Sequence, residues 1–456
     1  MRRELGRVVD RLRLIHHRID HVATTYWTHH LGLLTIRSVD DQARTTRIRI
    51  ALLLGALALF ALLYAPQPVL PQFAQEFGLA PGTVALLVSA ATLGLAVAAI
   101  PLGALAEVVG RRRVMIGALL VAEVLGLLLP WVPVFGVLVV LRLVQGVAVA
   151  GLAAVATAYL AEEVGGRNLG ATMGLYVAGT TIGGMTGRLL GGVVGDFAGW
   201  HGGVLAVALL AAVCTALFVV LLPAERHHQR TPLSLGPLFG GLRAALRDPV
   251  LHAPYLVAVL GMGSFVTVYN VLGFRLTAPP LLVPPALAAL AFLAYAAGTV
   301  TSTLAGRAAD RYGRTTVLLS GLAVTALGLL LMLAGNLAVI VLGLVVFTGG
   351  FFAAHSVASG WVGVQASPQA RSQASALYQL AYYGGSSVGG VVGGASYGAW
   401  GWSGMTVLLC CWLAAAAVVV WVTRIRSRRS RTAGAPPAAA DAAAASAAAS
   451  GRSRSS

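Results

Sequence analysis

No lysine occurs anywhere in the 456 residues; all 32 basic side chains are arginine. That excludes Schiff-base chemistry on a lysine amine and the lysine of a phosphate-binding P-loop. Charge of either sign is scarce. Only 10% of residues are charged, against about 25% in soluble proteins, so a water-soluble globular chain is excluded. The three cysteines, Cys214, Cys410 and Cys411, all fall inside apolar runs. They supply neither a disulfide framework nor metal-ligand spacing and read as small buried residues. No metal and no cofactor is expected. A cleavable signal peptide is not expected either, because the first 48 residues are too charged to hold an apolar h-region.

What fills the place of charge is apolar: 58% of residues are hydrophobic and the mean hydropathy is +0.83. Twelve apolar segments lie near 50–66, 83–105, 114–134, 137–159, 169–195, 204–222, 254–274, 283–305, 315–334, 337–362, 374–398 and 404–423. Each is long enough for a ~30 Å hydrocarbon layer. The fold class expected is an all-α polytopic membrane protein of twelve transmembrane helices. The chain divides into a basic tail (1–49), six spans (50–222), a polar and basic linker (223–253), six more spans (254–423), and a basic, Ala-rich tail (424–456) that reads as disordered. In the first tail His16, His17 and His21 could share a helix face; a surface amphipathic segment accounts for them without a metal.

The net charge of +17 raises nucleic acid as a partner. The positive charge, however, sits in tails and short loops beside apolar runs, so the lipid bilayer is the expected partner and nucleic acid is not. Arginine placement also sets orientation. With both termini in the cytoplasm, every arginine except Arg142, Arg188 and Arg275 is cytoplasmic.

The first dense charge after residue 50 is the turn GALAEVVGRRR, residues 103–113. Most of it recurs as GRAADRYGR, residues 306–314. Gly103 answers Gly306, Glu107 answers Asp310, Gly110 answers Gly313 and Arg111 answers Arg314. A second pair of stretches, 175–200 and 377–402, matches at nearly the same offset, with Tyr176 on Tyr378, Gly187 on Gly389 and Trp200 on Trp402. The halves are therefore parallel repeats, which suits two pseudo-symmetric six-helix bundles. In the fifth span Gly179, Gly183, Gly187, Gly191 and Gly195 recur every fourth residue on one helix face. They predict a close helix–helix seam, and one smooth enough to let two bundles rock.

The turns resemble the signature loop of the major facilitator superfamily, through Gly103, Leu105, Ala106, Gly110, Arg111 and Arg112 in the first copy and Gly306, Asp310, Arg311, Gly313 and Arg314 in the second. Glu107 stands where Asp is usual, and Val108 where a basic residue is usual. Arg142-Leu-Val-Gln145-Gly146 is similar to the family's Arg-x-x-Gln-Gly motif. The stretches YAPQPVLPQFAQEFGL (64–79), YNVLGFRL (269–276) and FFAAHSVASGWVG (351–363) resemble one bacterial branch of inner-membrane transport proteins. The resemblance spans 50–424. It implies the major facilitator fold, alternating access for a small solute, and a preference for efflux. Against the exporters' antiporter motif, Gly184 stands at the proline and Arg188 at the last glycine.

Ionisable groups inside spans are costly and so are candidates for function. They are Glu123, Arg142, Arg188 and His355. Arg142 and Arg188 lie at similar depth below the outer end. Two readings stay open for them: internal bonds to Glu123 or to backbone carbonyls, or capture of an anionic substrate. Glu123 and His355 are candidates for proton coupling, although the resemblance places the third span at the periphery. Gln67, Gln145, Tyr269, Asn270, Tyr378, Gln379 and Tyr382 are candidates to line the cavity beside the two arginines. The resemblance gives the two turns a gating role, with Glu107 against the start of the eleventh helix near Gln373–Ser375 when the cytoplasmic side is shut.

The function expected is a monomeric secondary transporter in the bacterial cytoplasmic membrane, moving a small organic solute with protons as coupling ion. Two other readings are a sensor without flux and an intramembrane hydrolase built on His355 and Ser356. Adjacent residues point about 100° apart on a helix, so those two cannot form a base–nucleophile pair with each other. No enzyme activity is expected.

Overall fold

The computed structural model describes residues 42–164, 166–226 and 235–433. The amino-terminal tail to residue 41, with His16, His17 and His21, part of the linker, and the tail from 434 lie outside the described residues. Within them the chain is helical. Apolar runs of this length have no water for their peptide groups, and a helix satisfies each N–H and C=O within its own segment.

Among the described residues ten helices are long and apolar enough to cross a membrane. The first four are Gln42–Phe77, Pro81–Val109, Arg111–Trp131 and Phe135–Glu163. Leu169–Leu221 follows; its backbone leaves helical geometry at Gly199 (φ 66°). Then come His252–Thr277, Pro285–Tyr312, Arg314–Leu331 and Leu337–Gln365, and last Arg371–Arg426, broken at Gly401 (φ 65°). Counting each side of these two breaks separately gives twelve segments, numbered here as spans one to twelve. The two charged turns also rest on positive-φ glycines, Gly110 at 107° and Gly313 at 84°. A side chain with a Cβ is strained there, which explains why glycine recurs in both copies.

Buried apolar residues fall into two main clusters, one running from Ile48 to Leu222 and one from Ala245 to Val420. The repeat is visible in their seams. The fifth span lays Gly179, Gly183 and Gly187 on the backbone of Leu53, Leu57 and Ala61 of the first span. The eleventh lays Gly385 and Gly389 on Val259 and Gly263 of the seventh. Gly191 and Gly195 continue the first seam against Ala65 and Val69. The close helix–helix seam expected of the glycine ladder is there. It lies inside one half, because its small faces all meet the first span and none meets a span of the other half, so it is not itself the surface on which the halves would rock.

The halves meet elsewhere. Gly82 of the second span lies against Gly394 and Ala395 of the eleventh, Gly192 of the fifth against Ala289 of the eighth, and Gly273 of the seventh against Pro71 of the first. All these points lie toward the end opposite the two charged turns. At the charged end a Cβ placed on Gly103 or Gly306 would meet nothing within 4 Å. Along the second span Leu87, Val88, Ser89, Ala90, Ala91 and Thr92 are all buried, whereas from Ala99 to Val109 only Ala106 is. The two halves are sealed at one end and stand apart at the other.

Candidate functional site

The first span reaches the sealed end as a strained helix. Pro66 and Pro68 lack the N–H that would close its last turn, and the chain passes into a short 3₁₀ turn, Gln67–Val69. Carbonyls there need other donors, and Arg142 of the fourth span supplies them. It is fully buried. Its Nη1 donates to Leu62 O at 3.0 Å, Nη2 donates to Leu63 O, and Nε donates to Leu87 O at 2.7 Å. Nη1 also donates to Gln145 Oε1, and Gln145 Nε2 donates to Ala122 O at 2.8 Å. Arg142 thus ties spans one, two and four together, with Gln145 extending the tie to span three. Gln145, expected on the cavity wall, is buried in that tie, because both ends of its amide have partners inside one half.

Glu123 is buried and neither of its carboxylate oxygens has a partner. It does not pair with Arg142, whose donors are already taken by carbonyls. Of the two readings left open for Arg142, the structure shows backbone bonds.

Arg188 of the fifth span behaves differently. Nε donates to Gln67 Oε1 at 2.5 Å and Nη1 to Gly184 O at 2.8 Å. Its guanidinium carbon lies 3.8 Å from the ring centre of Tyr64, 4.6 Å from that of Tyr295 and 5.4 Å from that of Phe292. Aromatic faces carry partial negative charge and attract a cation there. Among the described residues the ion pairs join Arg44 to Glu163, Arg111 to Glu107 and Glu162, and His201 to Glu76; none involves Arg188. It is a buried cation held by an amide, a carbonyl and rings. Tyr64 and Tyr295 come from opposite halves, so Arg188 sits where they meet.

Gln67 also crosses the divide. Its Nε2 donates to Asn270 Oδ1 of the seventh span at 2.7 Å. Next to Asn270, Tyr269 bonds Thr348 through its hydroxyl at 2.7 Å. Its ring lies 5.5 Å from Phe292 and 4.8 Å from Tyr295.

In the second half His355 stands in a ring of aromatics. Centroid distances are 5.8 Å to Phe351, 6.5 Å to Phe352, 5.7 Å to Tyr378 and 4.6 Å to Tyr382. The Tyr378 hydroxyl lies 2.9 Å from His355 Nδ1 and donates to the His355 carbonyl at 3.2 Å. Gln379, one residue on, is exposed.

At the open end the first turn is held within its own half. Arg111 bonds Glu107 at 2.8 Å and Glu162 at 2.7 Å. The Arg112 amide donates to Glu225 Oε1, and Arg112 Nε donates to Leu222 O at 3.0 Å. Glu107 therefore bonds Arg111 here and not the start of the eleventh helix. In the second turn Asp310, Arg311 and Arg314 are exposed or half-exposed. The sequence offers no acid at 364 or 365 to match Glu162 and Glu163, since Val364 and Gln365 stand there.

A glycine-hinged charged turn repeated in two helical halves, sealed at one end around buried polar groups, can now be compared with known proteins. The family model described as Major Facilitator Superfamily matches residues 52–298 and 280–453. The chain belongs to the Major Facilitator Superfamily. It is a multi-pass membrane transporter. The inner membrane transport protein YnfM of Escherichia coli is 43% identical over 373 residues, covering 82% of this chain and 89% of that protein. An uncharacterized transporter of the same superfamily type, YybF of Bacillus subtilis, is 36% identical, covering 81% and 90%. Among solved structures, the nucleoside transporter NupG (D323A mutant) superposes with a TM-score of 0.69 at 16% identity, covering 82% of this chain and 99% of NupG; that likeness speaks to the fold.

Sequence reasoning missed part of this superfamily site. Tyr64, Phe292, Tyr295, Phe351 and Phe352 surround its two central ionisable groups, Arg188 and His355. Tyr295 and Phe292 sit in the bland run ALAALAFLAYAAG. Their signal was spacing alone: the rings lie three residues apart, on one helix face, in a run otherwise of Ala, Leu and Gly.

Proposed function

We propose that this transporter moves a small organic anion by alternating access, exporting it across the bacterial cytoplasmic membrane in exchange for protons. The two six-span units, 50–222 and 254–423, are the moving bodies, joined by the linker 223–253. Both termini and both charged turns face the cytoplasm, as the arginine distribution favours. The observation that carries the reading is the unequal closure of the halves. Gly82 lies against Gly394 at one end, while at the other a Cβ placed on Gly103 or Gly306 would meet nothing within 4 Å. The molecule in this conformation is open toward the cytoplasm.

The anionic preference is supported by Arg188, buried at the meeting of the halves without a carboxylate partner. A charge left in a low-dielectric site attracts a counter-charge strongly. Proton coupling is assigned to His355, a titratable ring beside Tyr378 and Tyr382 in the second half. Export is the direction favoured by the overall family resemblance; the fifth span itself departs from the exporters' motif at Gly184 and Arg188.

The test is a thermal-shift screen of purified protein against anionic, neutral and cationic metabolites, followed by counterflow of the best stabiliser in proteoliposomes. Anions stabilise the parent, and Arg188→Gln removes that stabilisation. In His355→Gln counterflow persists while drive by an imposed pH gradient is lost. Stabilisation by cations, or an unchanged anion response in Arg188→Gln, overturns the reading.

A further inference from the structure

Gln67 uses both ends of one amide. Its oxygen accepts from Arg188 Nε at 2.5 Å, and its nitrogen donates to Asn270 Oδ1 at 2.7 Å. Gln67 belongs to the first half and Asn270 to the second, and Gln67, Arg188 and Asn270 are each at most 2% exposed. The outer ends cannot part while this chain of bonds is intact. It is also incomplete: Asn270 Nδ2 is buried without a partner. The site where Arg188 has its repeat mate is occupied by Gly390, so no second cation balances the arrangement from the other half.

We infer that Gln67 is a positioning residue: its amide oxygen holds the place of the substrate's anionic oxygen on Arg188, while its amide nitrogen locks the outer gate through Asn270. This rests on Arg188 being the anion anchor. A carboxylate is a stronger acceptor for a guanidinium than a neutral amide. When the anion takes the Arg188 donor, Gln67 loses the contact that fixes its side chain, and the bond to Asn270 loses its support. Anion binding in the cytoplasm-open state therefore unlocks the opposite side, which is the order an exporter needs. An empty transporter keeps the lock, which limits leakage of the outer gate.

The experiment uses the full chain with Cys214, Cys410 and Cys411 replaced by Ala and a single reporter, Leu272→Cys. Leu272 is 3% exposed and lines the cleft between the sealed outer ends with Pro71 and Ala289. Labelling by a membrane-impermeant maleimide added outside cells reads outer opening. Gln67→Leu keeps the bulk and removes both bonds. Its expected effect is an increase in labelling rate of about tenfold, the population change that loss of one buried bond gives. Asn270→Leu gives a similar rise, and the double variant no more than either alone. Gln67→Glu keeps an acceptor for Arg188 and for Asn270 Nδ2, so labelling stays low. Benzoate, with benzamide as its uncharged match, raises labelling in the parent but not in Arg188→Gln. Parental labelling in Gln67→Leu overturns the lock. A tenfold rise in Gln67→Leu with no benzoate response in the parent sustains the lock and overturns the displacement step, while the anion reading is overturned separately, by an absence of anion stabilisation in the thermal-shift screen. General loosening is separated from loss of the lock by Gln67→Glu, which must stay closed.

Discussion

Replacing Arg142 with methionine removes every donor of the guanidinium and keeps the length of its stem. Four bonds are lost, to Leu62 O, Leu63 O, Leu87 O and Gln145 Oε1. Leu87 keeps its helical partner. Leu62 and Leu63 depend more on Arg142, because Pro66 cannot donate to Leu62 O, which keeps only a long bond from Ala65 N at 3.4 Å, and the helix ends beyond them. Interhelical bonds in membrane proteins average ~0.6 kcal/mol, so the three to Leu62, Leu63 and Leu87 come to ~2 kcal/mol. Buried carbonyls left without donors, at ~1–3 kcal/mol each, raise the upper end. Relief from burying a charge works the other way. Arg142→Met is expected to destabilise by about 2 kcal/mol or more, read from reversible SDS unfolding in mixed micelles. Arg142→Lys recovers part of the loss, since one ammonium cannot span three carbonyls on different helices as a planar fork can. Arg188→Met serves as the comparison; it loses one amide and one carbonyl bond and is expected to cost less. If Arg142→Met unfolds within ~0.5 kcal/mol of the parent yet abolishes anion binding, Arg142 is a ligand and the structural account of it is wrong.

Four further outcomes follow from the packing. Gly183→Ala places a Cβ 2.6 Å from the Leu57 Cα; backbone cannot give way, so a loss of about 1–3 kcal/mol is expected in the same unfolding assay. Gly174→Ala, with nothing within 4 Å, should instead gain up to ~1 kcal/mol of helix propensity. Glu225→Ala removes the carboxylate on the Arg112 amide at the start of the third span; about 1 kcal/mol is expected, shown as faster proteolysis of the cytoplasmic turn. Glu107→Gln breaks a half-exposed pair worth at most ~1 kcal/mol in this conformation. On the proposed reading it should nonetheless shift the resting population further toward the cytoplasm-open state, because the closed state would lose the helix-end contact proposed for Glu107; unchanged accessibility of a cysteine placed at Gly306 argues against that contact.

The fold was largely legible because lipid leaves so few choices. Runs of apolar residues must be helices, and the glycine in each charged turn marks its reversal, as Gly110 and Gly313 show by their positive φ. The partners were not legible. Spacing brought Arg142 and Arg188 to one depth but could not say that the proline-broken end of the first span would present Leu62 O and Leu63 O to the former. Nor could it say that Tyr64 and Tyr295 would close over the latter. The glycine ladder showed the same limit. Its period fixed which face is flat, while the choice between the first span and a span of the other half depends on tertiary packing that the period does not encode.

The repeat is kept where the scaffold needs it and lost where the chemistry lies. Phe73 packs on Trp200 with centroids 4.3 Å apart, and its repeat mate Arg275 lies 4.3 Å over the ring of Trp402. The seams correspond at three steps: Gly183, Gly187 and Gly191 on Leu57, Ala61 and Ala65 match Gly385, Gly389 and Gly393 on Val259, Gly263 and Thr267. At the centre the correspondence breaks: Arg188 in one half stands against Gly390 in the other. Around Arg188 and His355 the first half supplies the buried cation, and the second supplies Phe292, Tyr295, Phe351, Phe352 and Tyr382. A ligand can move a two-state equilibrium only by interacting differently with the two states. A solute that met one half alone would ride with it and drive nothing. On the proposed reading the substrate therefore needs two unlike ends, an anionic group for Arg188 and an apolar or planar body for the rings opposite. Small inorganic anions, which reach only the first, should bind without promoting transport.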